Sequence, residues 1–191
     1  IGLSTVTAIF LIARVADILV DPSIGNFQDR STPRMGRRRF WIAVSTPALM
    51  IFVYLIFIGI QPGVPAWLVS GLVLLMYWAY ASLAIAHLSW AGELQPDYHG
   101  RTRTLGAVQI AGMIGYVGML LVPAVVVQGG FGGPVEAVKA MGVAGLITLP
   151  LTAAWCVLGV REDPSPPQPH SSLREMLGAL RTNTSLRRVL L

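Results

Sequence analysis

Long apolar stretches alternate with short polar connectors along the chain. Five stretches approach the length of about 20 residues that crosses a bilayer as a helix, and they lie at roughly 1–20, 41–60, 65–88, 104–127 and 140–160. None has the ten-residue alternating segments of a membrane β-barrel. Because backbone polar groups in lipid must be satisfied within the segment, the stretches are predicted to be helices. The predicted fold class is all-α, a polytopic membrane helix bundle.

The connectors between these stretches differ in charge. Three of them carry most of the arginines, at 21–40, 89–103 and 161–191, and they alternate with two connectors that are nearly neutral. Cytoplasmic loops carry an excess of Lys and Arg. The three basic connectors are therefore predicted to be cytoplasmic, in a multi-pass protein of the cell (inner or plasma) membrane.

The last connector begins with a proline-rich linker and continues as a predicted amphipathic helix at 172–181. Leu173, Met176, Leu177 and Leu180 follow its i, i+3, i+4, i+7 spacing. We expect this helix to lie on the inner leaflet rather than to bind a partner. The final residues resemble the start of another span, and the chain begins within an apolar stretch. The sequence is therefore interpreted as an internal fragment of a longer protein.

Composition supports a membrane protein and argues against other classes. Only 12% of the residues are charged, whereas a soluble domain has about 25%. The single cysteine, Cys156, excludes a disulfide framework. The sequence shows no metal motif, phosphate loop or nucleophile–base set, so we expect neither an enzyme nor a bound cofactor. The arginines cluster between apolar runs without a basic, aromatic-rich face, which argues against nucleic acid as a partner.

Three charged residues lie at the end of the first apolar stretch. On a helix, Arg14, Asp17 and Asp21 fall within about 60° of one another. Charged side chains in a bilayer usually face the bundle interior and mark ion or substrate pathways. Two carboxylates one turn apart are suited to bind Na⁺ or to accept a proton, and Arg14 is placed to neutralise one of them. The alternative is a structural Arg–Asp pair, with Asp21 capping the loop.

The connector that follows carries glycines, an acid and several arginines at short spacing. Glycine permits a tight turn between two helices, and Asp29 is suited to pair with an arginine or to sit at a helix N-terminus. Such a loop is expected to latch the cytoplasmic helix ends in one state, unless its charges only set the topology. The predicted gating residues are Gly25, Asp29, Arg30, Arg34, Gly36 and Arg37.

A family resemblance begins in the same region. Asp17 and the segment DPSIGNFQDRSTPRMGRRRFW at 21–41 resemble the signature of the glycoside–pentoside–hexuronide:cation symporters, the melibiose-permease-like branch of the major facilitator superfamily. The segment AGELQPDYHGRT at 91–102 resembles the family's loop after helix four, and the chain's end resembles its middle loop. The resemblance implies that the five spans are helices two to six of twelve, part of the N-terminal half of such a transporter.

The resemblance also implies a mechanism and a set of site residues. It implies a secondary active transporter that couples Na⁺ or H⁺ to the symport of a sugar or glycoside-like solute by alternating access. It implies that Asp17 and Asp21 bind the cation. Tyr80 matches a position near the substrate and cation. The family's helix-five arginine has no counterpart here, and Gln109 is the nearest polar group. The predicted substrate site is therefore Arg14, Tyr80 and Gln109.

One departure from the family pattern leaves the solute open. Ala84 stands where sugar-transporting relatives often carry an acid that binds sugar hydroxyls. One alternative is therefore a relative that moves an amphipathic or lipid-like solute, which a cavity lined by apolar side chains would favour. The other is a non-transporting membrane sensor or scaffold. For the transporter, the expected partners are a small-molecule solute, a monovalent cation and the lipid bilayer.

Overall fold

The computed structural model describes residues 20–31, 33–60 and 63–160. Its regular elements are α1 at 20–30, α2 at Arg37–Tyr54, a π-helical turn at Leu55–Gly59 that continues α2, α3 at Ala66–Glu93, α4 at Tyr98–Gln128 and α5 at Pro134–Gly159. Every regular element in this part of the chain is helical, which confirms the all-α prediction there. Arg14, Asp17 and the predicted helix at 172–181 lie outside the described residues.

Four of the helices have the length and composition to cross a membrane. They are α2 with its π-helical turn, α3, α4 and α5, and each covers one of the apolar stretches after the first. Of these, α4 and α5 begin before the apolar stretch does, because polar side chains cap them. The Asp97 carboxylate accepts a hydrogen bond from Gly100 N at 2.7 Å before α4, and Glu136 Oε2 accepts one from Gly133 N at 2.9 Å before α5.

The packing of the helices leaves α2 between two neighbours. It packs against α3 and α5, while α4 packs against α5 and α3. The buried core lies near the first turns of α2 and the last turns of α3, where Ile42, Ala86 and Trp90 meet. Arg39 joins α2 to α5 by donating a hydrogen bond to the Val157 carbonyl. The helix ends at this side of the bundle are therefore held by both apolar and polar contacts.

Glycine is required for close helix contact at one place on α5. A Cβ atom at Gly142 would lie 2.5 Å from Phe57 Cβ and 3.3 Å from Phe57 Cγ, so the π-helical turn rests directly on the α5 backbone. On α4, by contrast, a Cβ at Gly115 would meet nothing within 4 Å. The contact of α5 with the end of α2 thus requires that residue 142 has no side chain. Residue 115 on α4 has space for one.

We predict that Gly142→Ala destabilises the bundle and that Gly115→Ala does not. The added methyl at 142 must displace Phe57 close to its backbone, and such overpacking costs about 1–3 kcal/mol. At 115 the methyl has room, and alanine is favoured over glycine in a helix by about 1 kcal/mol. Thermal unfolding of the two purified variants in detergent checks this. Equal melting temperatures for both would contradict the close α2–α5 contact.

Candidate functional site

A cluster of four charged side chains joins the ends of three helices. Asp29 comes from the end of α1, Arg37 and Arg38 from the first turn of α2, and Glu93 from the last residue of α3. Arg38 Nη2 lies 2.7 Å from Glu93 Oε1 and 2.9 Å from Asp29 Oδ1, and Arg38 Nε lies 3.4 Å from Glu93 Oε2. A single guanidinium therefore binds carboxylates from the two helices on either side of its own in sequence.

The cluster has no net charge, and its central residue, Arg38, is buried. The Arg38 side chain is 6% exposed, whereas Asp29 and Glu93 are 44% and 29% exposed. Arg37 adds a weaker contact, with Nη2 at 3.4 Å from Glu93 Oε1 and Nη1 at 4.0 Å from Asp29 Oδ1. A buried guanidinium is tolerated only when carboxylates and hydrogen bonds replace its lost water. Two acids and two bases meet this requirement with no net charge.

A chain of uncharged hydrogen bonds fastens α1 next to the cluster. Gln28 is fully buried, and its Nε2 donates to Ser82 O at 2.8 Å and to Ser82 Oγ at 3.0 Å. Ser82 Oγ lies 2.9 Å from Ser45 Oγ on α2. Ser31 Oγ donates to Gln28 O at 2.6 Å and accepts from Trp41 Nε1 at 2.7 Å. The end of α1 is thus connected to both α2 and α3.

Some of the predicted gating residues meet in this region. Asp29 and Arg37 belong to the charged cluster. Gly36 has a φ of 97° at the start of α2, a left-handed conformation that glycine adopts without strain. The turn expected at Gly25 is wrong, because this residue lies inside α1. There, a Cβ would lie 3.9 Å from Ile85 Cγ2, so Gly25 faces α3.

The other two predicted gating residues lie at the surface. Arg30 is exposed and donates to Asn26 Oδ1 at 3.2 Å. Arg34 is exposed in the turn before α2 and forms no ion pair with another described residue. Sequence reasoning had not assigned a role to Arg38, Glu93 or Gln28. The sequence signal for this cluster was the acid Glu93 after the third apolar stretch. A carboxylate there needs a positively charged partner if that helix end is buried.

A cavity of about 470 Å³ lies between α2, α3, α4 and α5. Tyr80 and Gln109, both predicted to contact substrate, line this cavity together with Ala84 and His87. Its volume falls within the range of small-molecule sites, about 300–1,000 Å³. The structure therefore brings the described members of the predicted substrate set to one site.

The predicted cation residues are only partly described. Asp21 is half-buried on α1 and is not among the residues that line the cavity.

A comparison with known proteins places the whole sequence in a family, since a family model described as MFS/sugar transport protein matches residues 1–191. The chain belongs to the MFS/sugar transport protein family. No solved structure matches it.

Membership in the MFS/sugar transport protein family determines the broad functional class of the protein. The chain belongs to the major facilitator superfamily, and with four membrane-capable helices it is part of a multi-pass membrane transporter for a small-molecule solute. The melibiose-permease-like branch is a narrower assignment and stays a prediction.

We predict that Glu93→Gln destabilises the transporter more than Arg34→Gln does. Glutamine leaves the buried Arg38 guanidinium with a weaker partner, and the expected loss is about 1–3 kcal/mol, below the cost at a fully buried pair because Glu93 is partly exposed. Arg34 is exposed and has no ion pair with a described residue, so its substitution should change stability by less than about 0.5 kcal/mol.

The comparison is made by thermal unfolding of the two variants in the same detergent. Each substitution removes one charge, so the pair is matched in that respect. The assignment of Arg38 as a buried and paired cation fails if Glu93→Gln melts at the temperature of Arg34→Gln.

Proposed function

We propose that the chain forms part of the first half of a cation-coupled symporter that moves a small solute by alternating access. One observation carries the proposal. Tyr80 on α3 and Gln109 on α4, which the sequence predicts to contact the solute, line one cavity in a member of a transporter family. Both side chains are exposed, which leaves the cavity accessible from outside the four helices.

The cation is proposed to bind at Asp17 and Asp21. Two carboxylates one helical turn apart supply hard oxygen ligands for a small cation, or one of them accepts a proton. Arg14 precedes Asp17 by three residues in the sequence and is proposed to tune the charge of the pair. Asp21 supports this role by being a half-buried acid on the helix that the charged cluster holds against α2 and α3.

The charged cluster is proposed to act as the latch of the predicted cytoplasmic end. It joins connector 21–40 to connector 89–103 through Asp29 and Glu93, so these two basic connectors lie on the same side of the bundle. Positive charge predicts that this side is the cytoplasm. Alternating access moves helix bundles largely as rigid bodies. The latch would keep α1 aligned with α2 and α3 while the bundle moves.

The family match weighs against the sensor or scaffold alternative. The cavity itself does not separate the two classes, because a sensor also binds its ligand in a pocket. Coupled uptake distinguishes the two, because a sensor of the same fold would show no accumulation of solute in either the presence or the absence of a cation gradient.

We predict that Asp17→Asn and Asp21→Asn each reduce cation-stimulated solute uptake at least tenfold. Asparagine keeps the shape of the side chain but loses the negative charge that a cation or proton requires. The measurement is uptake by the full-length protein in proteoliposomes, with and without a Na⁺ or H⁺ gradient. Asp97→Asn is the matched control, because Asp97 is an exposed helix cap and should leave coupling unchanged.

Uptake that keeps its full cation stimulation in both variants would refute the coupling assignment. Uptake that is independent of any cation in the unmodified protein would refute symport itself while leaving the family membership intact.

A further inference from the structure

Helix α3 lies between α1 and the cavity. From α3, the cavity is lined by Tyr80, Ala84 and neighbouring side chains. Ser82 faces α1 instead, since Gln28 Nε2 donates to both its carbonyl and its hydroxyl oxygen. With 3.6 residues per turn, Ser82 is about 180° around the helix from the midpoint of Tyr80 and Ala84. A displacement of α3 by α1 therefore also moves one wall of the cavity.

The face of α1 that contacts α3 is the face that carries Asp21. Asp21, Gly25 and Gln28 fall within about 60° of one another on this helix. A Cβ atom at Gly25 would lie 3.9 Å from Ile85 Cγ2, and Gln28 is fully buried where it bonds Ser82. The proposed cation ligand and the contact with α3 therefore belong to one face of a continuous helix.

The contact between Gln28 and Ser82 has two arrangements. In the structure Gln28 Nε2 donates to Ser82, while Gln28 Oε1 is buried and has no hydrogen-bond partner among the described residues. A side-chain amide and a hydroxyl both donate and accept. Rotation of the amide would let Oε1 accept from the Ser82 hydroxyl, at the expense of the bond to the carbonyl. Since a buried acceptor without a partner is costly, the second arrangement competes with the first.

Ser82 also connects this contact to α2. Its Oγ lies 2.9 Å from Ser45 Oγ, and Ser45 is buried. Ile42, three residues before Ser45, lines the cavity and packs against Ala86 in the buried core. A change at Ser82 therefore reaches the cavity from two helices, α3 directly and α2 through the serine pair.

We propose that Gln28 is a positioning residue of the transport cycle, which passes the charge state of Asp21 through Ser82 to the cavity. When a cation or proton neutralises Asp21, α1 shifts against α3, the Gln28 amide exchanges one arrangement for the other, and the cavity wall moves. Energetic coupling between two sites requires an element with two discrete arrangements. The inference rests on the proposed function, because it connects the cation site of that function to its solute site.

Cys156 is a reporter of the cavity, because it lines the cavity from α5 and is the only cysteine in the sequence. The full-length protein in membrane vesicles is labelled with N-ethylmaleimide in alkaline, sodium-free buffer, and the Cys156 peptide is quantified by mass spectrometry. Asp21→Asn represents the neutral state of Asp21 whichever cation is coupled. The labelling rate is measured with and without Asp21→Asn, in the unmodified protein and in Gln28→Met.

We predict that Asp21→Asn changes the labelling rate at least fivefold in the otherwise unmodified protein, about the lower end of typical coupling factors. In the Gln28→Met background the change should be less than twofold, because methionine keeps the length of the side chain but removes the donor and the acceptor. A larger change in Gln28→Met, or a smaller one in the otherwise unmodified protein, overturns the inference.

Asn26→Leu is the matched control background. Asn26 carries an amide on the same helix, and this amide accepts a hydrogen bond from Arg30 within α1. Asp21→Asn should still change labelling at least fivefold in Asn26→Leu. Loss of the response in this background as well overturns the specific assignment to Gln28. Asp29→Asn tests the other connection of α1, and a response that only this variant abolishes assigns the transmission to the charged cluster and overturns the inference.

Melting temperatures in detergent show which backgrounds are folded. If Gln28→Met is not, Ser82→Ala decides, because it removes the hydroxyl and leaves the carbonyl oxygen that Gln28 binds. A response to Asp21→Asn that falls at least twofold in Ser82→Ala supports the inference, and an unreduced response overturns it.

Uptake by the same proteins separates this inference from the proposed function. If Asp21→Asn abolishes cation-stimulated uptake but leaves Cys156 labelling unchanged, symport is retained and the role of Gln28 is overturned. If labelling responds to Asp21→Asn through Gln28 while uptake by the unmodified protein needs no cation, the contact is supported and symport is refuted.

Discussion

The buried guanidinium of Arg38 is the constraint on which the described structure depends. It lies at the first turn of a membrane-capable helix, where its charge needs partners, and it finds them on the helices before and after its own. Asp29 and Glu93 therefore have to approach α2 together. The three helix ends are joined as a consequence, and the apolar contacts of Trp90 with Ile42 close the bundle directly beside them.

This arrangement connects the two parts of the proposed mechanism. Asp21 and Gln28 lie on the same helix, seven residues or about 10 Å apart. Because Gln28 is bound to α3 and Asp29 to α2, the helix that carries Asp21 is held in a defined position relative to α3. The same α3 presents Tyr80 and His87 to the cavity. Movement of α1 by cation binding would therefore reach the solute site through α3.

The sequence predicts the helices better than the contacts between them. Apolar runs locate the membrane-capable helices, and the capping residues explain why α4 and α5 begin before those runs. Consecutive arginines are about 100° apart on a helix, and only the fold decides that Arg38 is buried while Arg37 and Arg39 are less so. Its partner Glu93 is 55 residues away in sequence, so local pattern cannot pair them. Resemblance predicts Tyr80, and Gln109 is predicted as the polar residue nearest to a family arginine that is absent here; the structure adds the cavity that they share.

A double-mutant cycle on Arg38→Met and Glu93→Gln tests the central claim most directly. The unfolding free energies of the two single variants and the double variant are compared with that of the unmodified full-length protein in the same detergent. A buried pair that holds α2 to α3 predicts a coupling energy of about 1–3 kcal/mol, with the double variant less destabilised than the sum of the singles. Effects that add to within about 0.5 kcal/mol would contradict the account.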